Sequence, residues 1–145
     1  MAGSLFPAFD MPELSGGGQQ YDTRYKRSVR WDYEAGDFAV DGANRMAECD
    51  GREAFMAWCF KVCRTERYAC LAYPAFIGVE MEAATADGDR KVVESMVRRT
   101  ITDALKVNPR TEYVGGFSFG WDGDEMHCSF EVKGTGWDDR FRVTV

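Results

Sequence analysis

Three consecutive segments in the last third of the chain, "EYVGGFSFGW", "EMHCSFEVK" and "DRFRVTV", each alternate between apolar and polar residues. A period of two marks a strand with one face in a core and one toward water. Asp122-Gly123 stands between the first two segments and reads as a two-residue hairpin turn. Three such strands in succession predict an antiparallel sheet whose apolar face needs a cover.

Two helical patterns can supply it. Phe55, Trp58, Cys59, Val62 and Cys63 recur at i, i+3, i+4, i+7 and i+8, which is one apolar stripe. Asp50 precedes Glu53 by three residues, the spacing of a capping box with Asp as the cap. The second pattern runs from about Asp89 to Val107. Val93, Val97, Thr100, Ile101 and Ala104 line one face, Val92, Met96 and Leu105 widen it, and Asn108-Pro109 stops it. Upstream, Val29, Trp31 and Tyr33 alternate, "EAGD" turns the chain, and Phe38 and Val40 alternate again, which predicts a hairpin. Pro74 excludes a helix between the two helical patterns, and "AFIGVEME" reads as a short strand.

The expected class is therefore α+β. A small, mostly antiparallel sheet packs against two helices, with an extended N-terminal arm and a C-terminal edge strand. Alternation is still running at Val145, so the last strand, with Phe141, Val143 and Val145, is expected at a sheet edge. Unpaired backbone groups there can accept a strand from another chain.

At 145 residues the chain is expected to hold one domain, residues 25–145. Residues 1–24 form an arm in which "SLFPAFDMPEL" is followed by the Gly-rich linker "SGGGQQ". A solvating tail has no need of so many large apolar side chains, so Phe6 and Phe9 are expected to dock on a partner. The formal charge of −6 and pI of about 4.8 argue against a nucleic-acid partner. The basic group Arg24, Lys26, Arg27 and Arg30 is followed closely by acids. No apolar run approaches the roughly 20 residues of a membrane helix, and no secretory signal pattern opens the chain. The five cysteines, Cys49, Cys59, Cys63, Cys70 and Cys128, are expected to be reduced and mostly buried.

Catalytic chemistry finds little support. The cysteines lack paired C-x₂-C knuckles, and His127 and Cys128, adjacent in a strand, point to opposite faces, so no metal site is expected. Glu80 and Glu82 would share a strand face roughly 7 Å apart, and Glu66 and Glu125 could be recruited beside them. Glutamates at i and i+2 are also what a half-solvated strand carries anyway. No catalytic residue and no cofactor is assigned. Glu66-Arg67 has two readings: a charge that caps the preceding helix, or a fixed charged pair beside Tyr68 and Tyr73, residue types that anchor interfaces.

The ordered ensemble of hairpin, capped helix, "TERY…YP.FIGVEME", second helix and "NPRTEYVGGFSF…GDEMHCSFEV" resembles the sheath-initiator proteins of contractile phage tails. These are baseplate proteins historically labelled lysozyme-like, and the likeness is to the branch from myophages and phage-like bacteriocins of Gram-positive bacteria. It covers about residues 25–132, and "SLFPAFDMPE" also looks like the start of that branch. The family carries a Glu-(Pro)-Arg motif after its first helix, and here no proline separates Glu66 from Arg67.

The resemblance implies a role without catalysis in a virion tail baseplate, or a phage-like particle, assembled in the bacterial host cytoplasm. Six copies would surround the tail tube and hub, and the first sheath ring would complete a sheet on the initiator's strands. Glu66, Arg67, Tyr68 and Tyr73 would hold the baseplate wedge proteins, while residues 130–133 and 141–145 would receive the tail sheath protein. A cell-wall hydrolase at the tail tip, or the matching part of a secretion or extracellular injection system, are the alternatives. Neither a nucleic-acid nor a membrane partner is implied.

Overall fold

The computed structural model describes residues 26–145. The arm, with Phe6 and Phe9, lies outside the described residues.

Four two-residue strands come first: β1 (Ser28–Val29), β2 (Trp31–Asp32), β3 (Asp37–Phe38) and β4 (Glu48–Cys49). β2 and β3 form the expected hairpin, with Trp31 opposite Phe38, and β1 pairs with β4. The Asp32 carboxylate accepts the backbone N–H groups of Glu34 and Ala35, which folds "EAGD" into the turn.

Helix α1 (Gly51–Cys63) buries Phe55, Cys59, Val62 and Cys63 of the stripe read from the sequence, and Trp58 of that stripe is partly buried against the same core. Its predicted capping box does not form. Asp50 has extended backbone but makes no side-chain cap bond. Glu53 instead faces Arg30, 2.7 Å away across the β1–β2 junction. A cation supplied by tertiary contact has taken the carboxylate that local spacing assigned to the cap.

The segment read as the strand "AFIGVEME" is also different. Only Val79 bridges, to Glu66, and the chain then winds into the short helix α2 (Met81–Ala84). Glu80 sits at its N-terminus and Glu82 inside it, so the two glutamates do not share a strand face. Gly78, at φ +102°, directly precedes the bridging residue, and the Glu80 N–H donates to the Thr100 hydroxyl of the next helix.

That helix, α3 (Arg90–Lys106), starts at Asp89, whose carboxylate accepts the Lys91 N–H at 2.9 Å. Val93, Val97, Ile101, Ala104 and Leu105 are buried. Val92 and Met96 stay exposed, so the covered face is narrower than the apolar pattern suggested. No helix of the described residues is long and apolar enough to cross a membrane.

The sheet follows as β5 (Thr111–Asp122), β6 (Glu125–Gly134) and β7 (Phe141–Thr144), antiparallel in the order β5-β6-β7. Asp122 pairs with Glu125, so the turn residues are Gly123 and Asp124, one position later than expected.

A bulge then changes which residues face inward. Gly115 pairs with Glu131 and Ser118 with Ser129, so Gly116 and Phe117 together stand opposite Phe130. Gly116 takes φ +63°, the left-handed conformation this bulge requires. Val114 and Phe117, an odd number of residues apart, consequently both pack on the core. Tyr113 goes to the other face, under the Arg140 guanidinium at 4.2 Å. Phe117 stacks on the fully buried Phe130 at 5.2 Å. Cys128, Phe130 and Val132 of β6 meet Cys59 and Val62 of α1 and Val97 and Ile101 of α3 in one cluster. No helix of the described residues packs on the opposite face of the sheet, which carries Ser118, His127, Ser129 and Glu131.

Candidate interaction surfaces

β6 lies between β5 and β7, and β7 pairs with residues 129–132, so Phe130, Glu131 and Val132 cannot receive a further strand. This corrects the expectation that they share in the receiving surface. Among the described residues, the order β5-β6-β7 leaves the outer sides of β5 and β7 as edges. β5 is irregular between Thr111 and Tyr113 and again between Gly115 and Ser118, which makes it a poor template. β7 has no such interruption.

The register of β7 settles what its edge presents. Cys128 donates to the Val145 carbonyl at 2.8 Å, and Val145 donates back to Cys128 at 2.9 Å. Antiparallel ladders alternate, so Phe141, Val143 and Val145 direct their backbone groups to β6. Arg142 and Thr144 direct theirs outward. The side chains of Phe141 and Val143 are buried, and Val145 packs against the core. The three residues named from the sequence therefore bind the strand to its own fold, while the open donors and acceptors belong to Arg142 and Thr144. Strand alternation carried that signal once the inward set was known. On the solvent face Arg140 and Arg142 both approach the Glu131 carboxylate, at 3.6 and 3.5 Å.

Glu66 and Arg67 lie beyond the end of α1, whose last turn carries Lys61 instead, so the helix-cap reading does not hold. They do not pair with each other. The Glu66 carboxylate accepts the Met81 N–H at the start of α2, at 3.0 Å. The Arg67 guanidinium donates twice to the Gly78 carbonyl and once to the Glu80 carboxylate, at 2.9 Å. Backbone bonds from Val79 to Thr65 and from Arg67 to Val79 complete the closure. The Arg67 side chain is only 17% exposed. The pair thus rivets the base of a loop, residues 65–81, and leaves its tip to face solvent.

That tip is unusually apolar. Leu71 is fully exposed, Tyr68 and Phe76 are more than half exposed, and Tyr73 lies beside Lys61 at 5.1 Å. Tyr68 holds φ +68°, a conformation costly for a residue with a side chain. Exposed apolar groups gathered on a rigid base have the form of an interaction site. Gly78 is the weak point of the base, because a Cβ there would stand 2.5 Å from the Thr65 carbonyl oxygen. With its φ of +102°, Gly78→Ala should lower stability by about 3 kcal/mol, read as a shifted urea midpoint. A midpoint within error of the parent would show that the loop base does not need this backbone.

The remaining candidates behave as core. Four cysteines are buried and Cys70 is exposed. Burial pushes the Cys63 thiol up to about 12 and the Cys128 thiol to about 11, and holds Cys59 well above the usual thiol range. These groups are neutral thiols at neutral pH. His127 is exposed while its neighbour Cys128 is buried, the opposite orientation expected of adjacent strand residues. No three His, Cys, Asp or Glu residues among those described are grouped to hold a metal. Glu66 and Glu125 do line one groove of about 870 Å³, but there Glu66 is held by the Met81 amide.

The family model for the contractile injection system sheath initiator matches residues 27–136. No curated protein matches the chain.

Proposed function

Since the chain belongs to the contractile injection system sheath initiator family, a structural family of tail and baseplate components, we propose that it links the baseplate wedge and hub to the first sheath ring and starts sheath assembly by accepting a sheath strand on β7. The observation that carries this reading is the regular outer edge of β7, with the backbone of Arg142 and Thr144 open. An incoming strand would gain main-chain bonds there, and Phe141 and Val143, locked in the core, would hold the edge in register.

The riveted loop is the wedge-binding surface on this reading. Tyr68 and Tyr73, with the exposed Leu71 and Phe76 of the same loop, make the contact, and Glu66 and Arg67 act by fixing the loop's shape. Six copies around the tail tube would give each incoming sheath subunit one such edge. The role requires no catalytic step. A cell-wall hydrolase is less well supported, because Glu66 is occupied by a backbone amide and Glu80 by Arg67. Phage tails, phage-like bacteriocins and other contractile injection systems all place the same demand on this edge.

Particles assembled without the chain test the proposal. Baseplates carrying bare tubes are the expected product in electron micrographs, with sheaths restored when the chain is supplied. Fully sheathed tubes in its absence would overturn it.

A further inference from the structure

The three-stranded sheet is unfinished at one corner. β7 pairs with β6 as far as Val145, which lies opposite Cys128. Beyond that point β6 extends for three more residues, Glu125, Met126 and His127. Their side toward β5 is filled, with Trp121 opposite Met126 and Gly120 opposite His127. Cys128 bonds to β7, so by ladder alternation Met126 turns its N–H and C=O to that same side. Among the described residues no strand meets Met126 there. The position that would pair with it stands about 7 Å past Val145, along the line of β7.

This corner opens into the groove of about 870 Å³. Val79, Met81, Val93, Met126 and Cys128 supply its apolar lining. Trp121 lines it too and is held in place: its indole N–H donates to Glu94 at 2.8 Å, and the Arg90 guanidinium lies over its ring at 4.9 Å. Four acids and two arginines complete the charged part of the lining. Both arginines are engaged, Arg90 by the Gly123 carbonyl at 2.7 Å and Arg64 over the Phe60 ring at 4.4 Å. Asp124 and Glu125 stand exposed at the β5–β6 turn. An open strand backbone therefore borders an apolar groove with a net negative rim.

The groove adjoins the β7 edge, because Val145 lines it as well. A strand paired with Arg142 and Thr144 that continues past Val145 reaches Met126 by stepping one strand spacing inward, about 5 Å. We infer that the groove anchors this continuation of the incoming sheath strand, whose backbone bonds to Met126. Its side chain opposite Met126 falls on the core side of the sheet, so it is apolar and enters the groove. An adjoining lysine or arginine meets Asp124 and Glu125. The groove also marks register. A strand slipped by two residues still pairs with Arg142 and Thr144, but its apolar side chain misses the groove. The inference rests on the seeding role proposed for β7, and the variants below separate the two.

Binding of the particle's purified sheath protein to the full chain tests this. Met126→Pro removes an outward N–H and should weaken binding about fivefold or more, while Met126→Leu binds as the parent does. Asp124→Lys/Glu125→Lys, two exposed changes that leave the core intact, should weaken binding about tenfold, and less so in high salt. Glu34→Lys/Asp37→Lys makes the same change of charge on the β2–β3 turn and should bind as the parent does. In the ¹⁵N-labelled parent the Trp121 indole signal, identified by its loss in Trp121→Phe, should move when sheath protein is added. Parental affinity in Asp124→Lys/Glu125→Lys overturns the inference, as does an unmoved Trp121 signal in a chain that binds. If Arg142→Pro/Thr144→Pro abolishes binding alongside either result, the β7 edge stands without the groove. An equal loss in Glu34→Lys/Asp37→Lys also overturns the inference and assigns the effect to net charge. Parental binding by Arg142→Pro/Thr144→Pro instead overturns the β7 reading itself.

Discussion

Arg142→Pro/Thr144→Pro should reduce sheath initiation by tenfold or more while the chain stays folded. Both residues turn their backbone groups away from β6, so two prolines remove only outward donors and place rings where an incoming strand would lie. Two lost backbone bonds, each worth about 1 kcal/mol net, account for a factor of this size. The loss to the fold is small, since the Arg142–Glu131 contact is an exposed ion pair worth about 1 kcal/mol or less. Val143→Pro is the contrasting variant. It breaks the inward ladder at a buried residue and should unfold the C-terminal part of the sheet. Deleting residues 141–145 is a poorer test, because Phe141 and Val143 leave the core with the edge. Sheath counts on baseplates, taken with melting curves of the same preparations, decide the matter. Parental sheath yield from the double-proline chain would remove β7 as the seeding edge.

The largest effect on stability is expected from Phe130→Ala, at about 4 kcal/mol. Phe130 is fully buried, stacks on Phe117, and stands opposite the bulge that brings Phe117 inward. Removing it leaves a cavity between the sheet and both long helices, where close packing allows little collapse. Domains of this size are usually stable by 5–15 kcal/mol, so the loss is a large share of the total. At about 4 °C per kcal/mol the melting temperature should fall by about 15 °C. Phe76→Ala, at the exposed loop tip, should change stability by no more than about 0.5 kcal/mol. A Phe130→Ala loss below 1 kcal/mol would mean that the core does not centre on β6.

The same variants divide the two proposed surfaces. Tip substitutions act on partner contact alone, whereas Gly78→Ala disturbs the base through Thr65 and Arg67. The two need to be compared before any loss of wedge binding is assigned to a particular side chain.

Much of this molecule was legible in local pattern. The three alternating strands, the α1 stripe and the span of α3 follow from periods of 2 and 3.6, which depend on near neighbours. So did the burial of four cysteines and the opposed directions of His127 and Cys128. What local pattern missed depended on partners distant in sequence. Glu53 lost its cap role to Arg30, 23 residues away, and Glu66 found its partner 15 residues on, at Met81. The run "AFIGVEME" became a bridge and a helical turn once Gly78 closed against Thr65 and Thr100 took the Glu80 amide. Strict alternation through "EYVGGFSFGW" would keep Tyr113, Phe117 and Phe119 on one face. The bulge at Gly116 sent Tyr113 to the other, a choice made by packing Phe117 on Phe130. The sequence alone determined the three long strands, the two long helices and the family resemblance, because these reside in local pattern and order. Only the tertiary structure decided that β6 is central, that β7 offers Arg142 and Thr144, and that Glu66 and Arg67 face inward, because pairing partners and burial are properties of the assembled sheet.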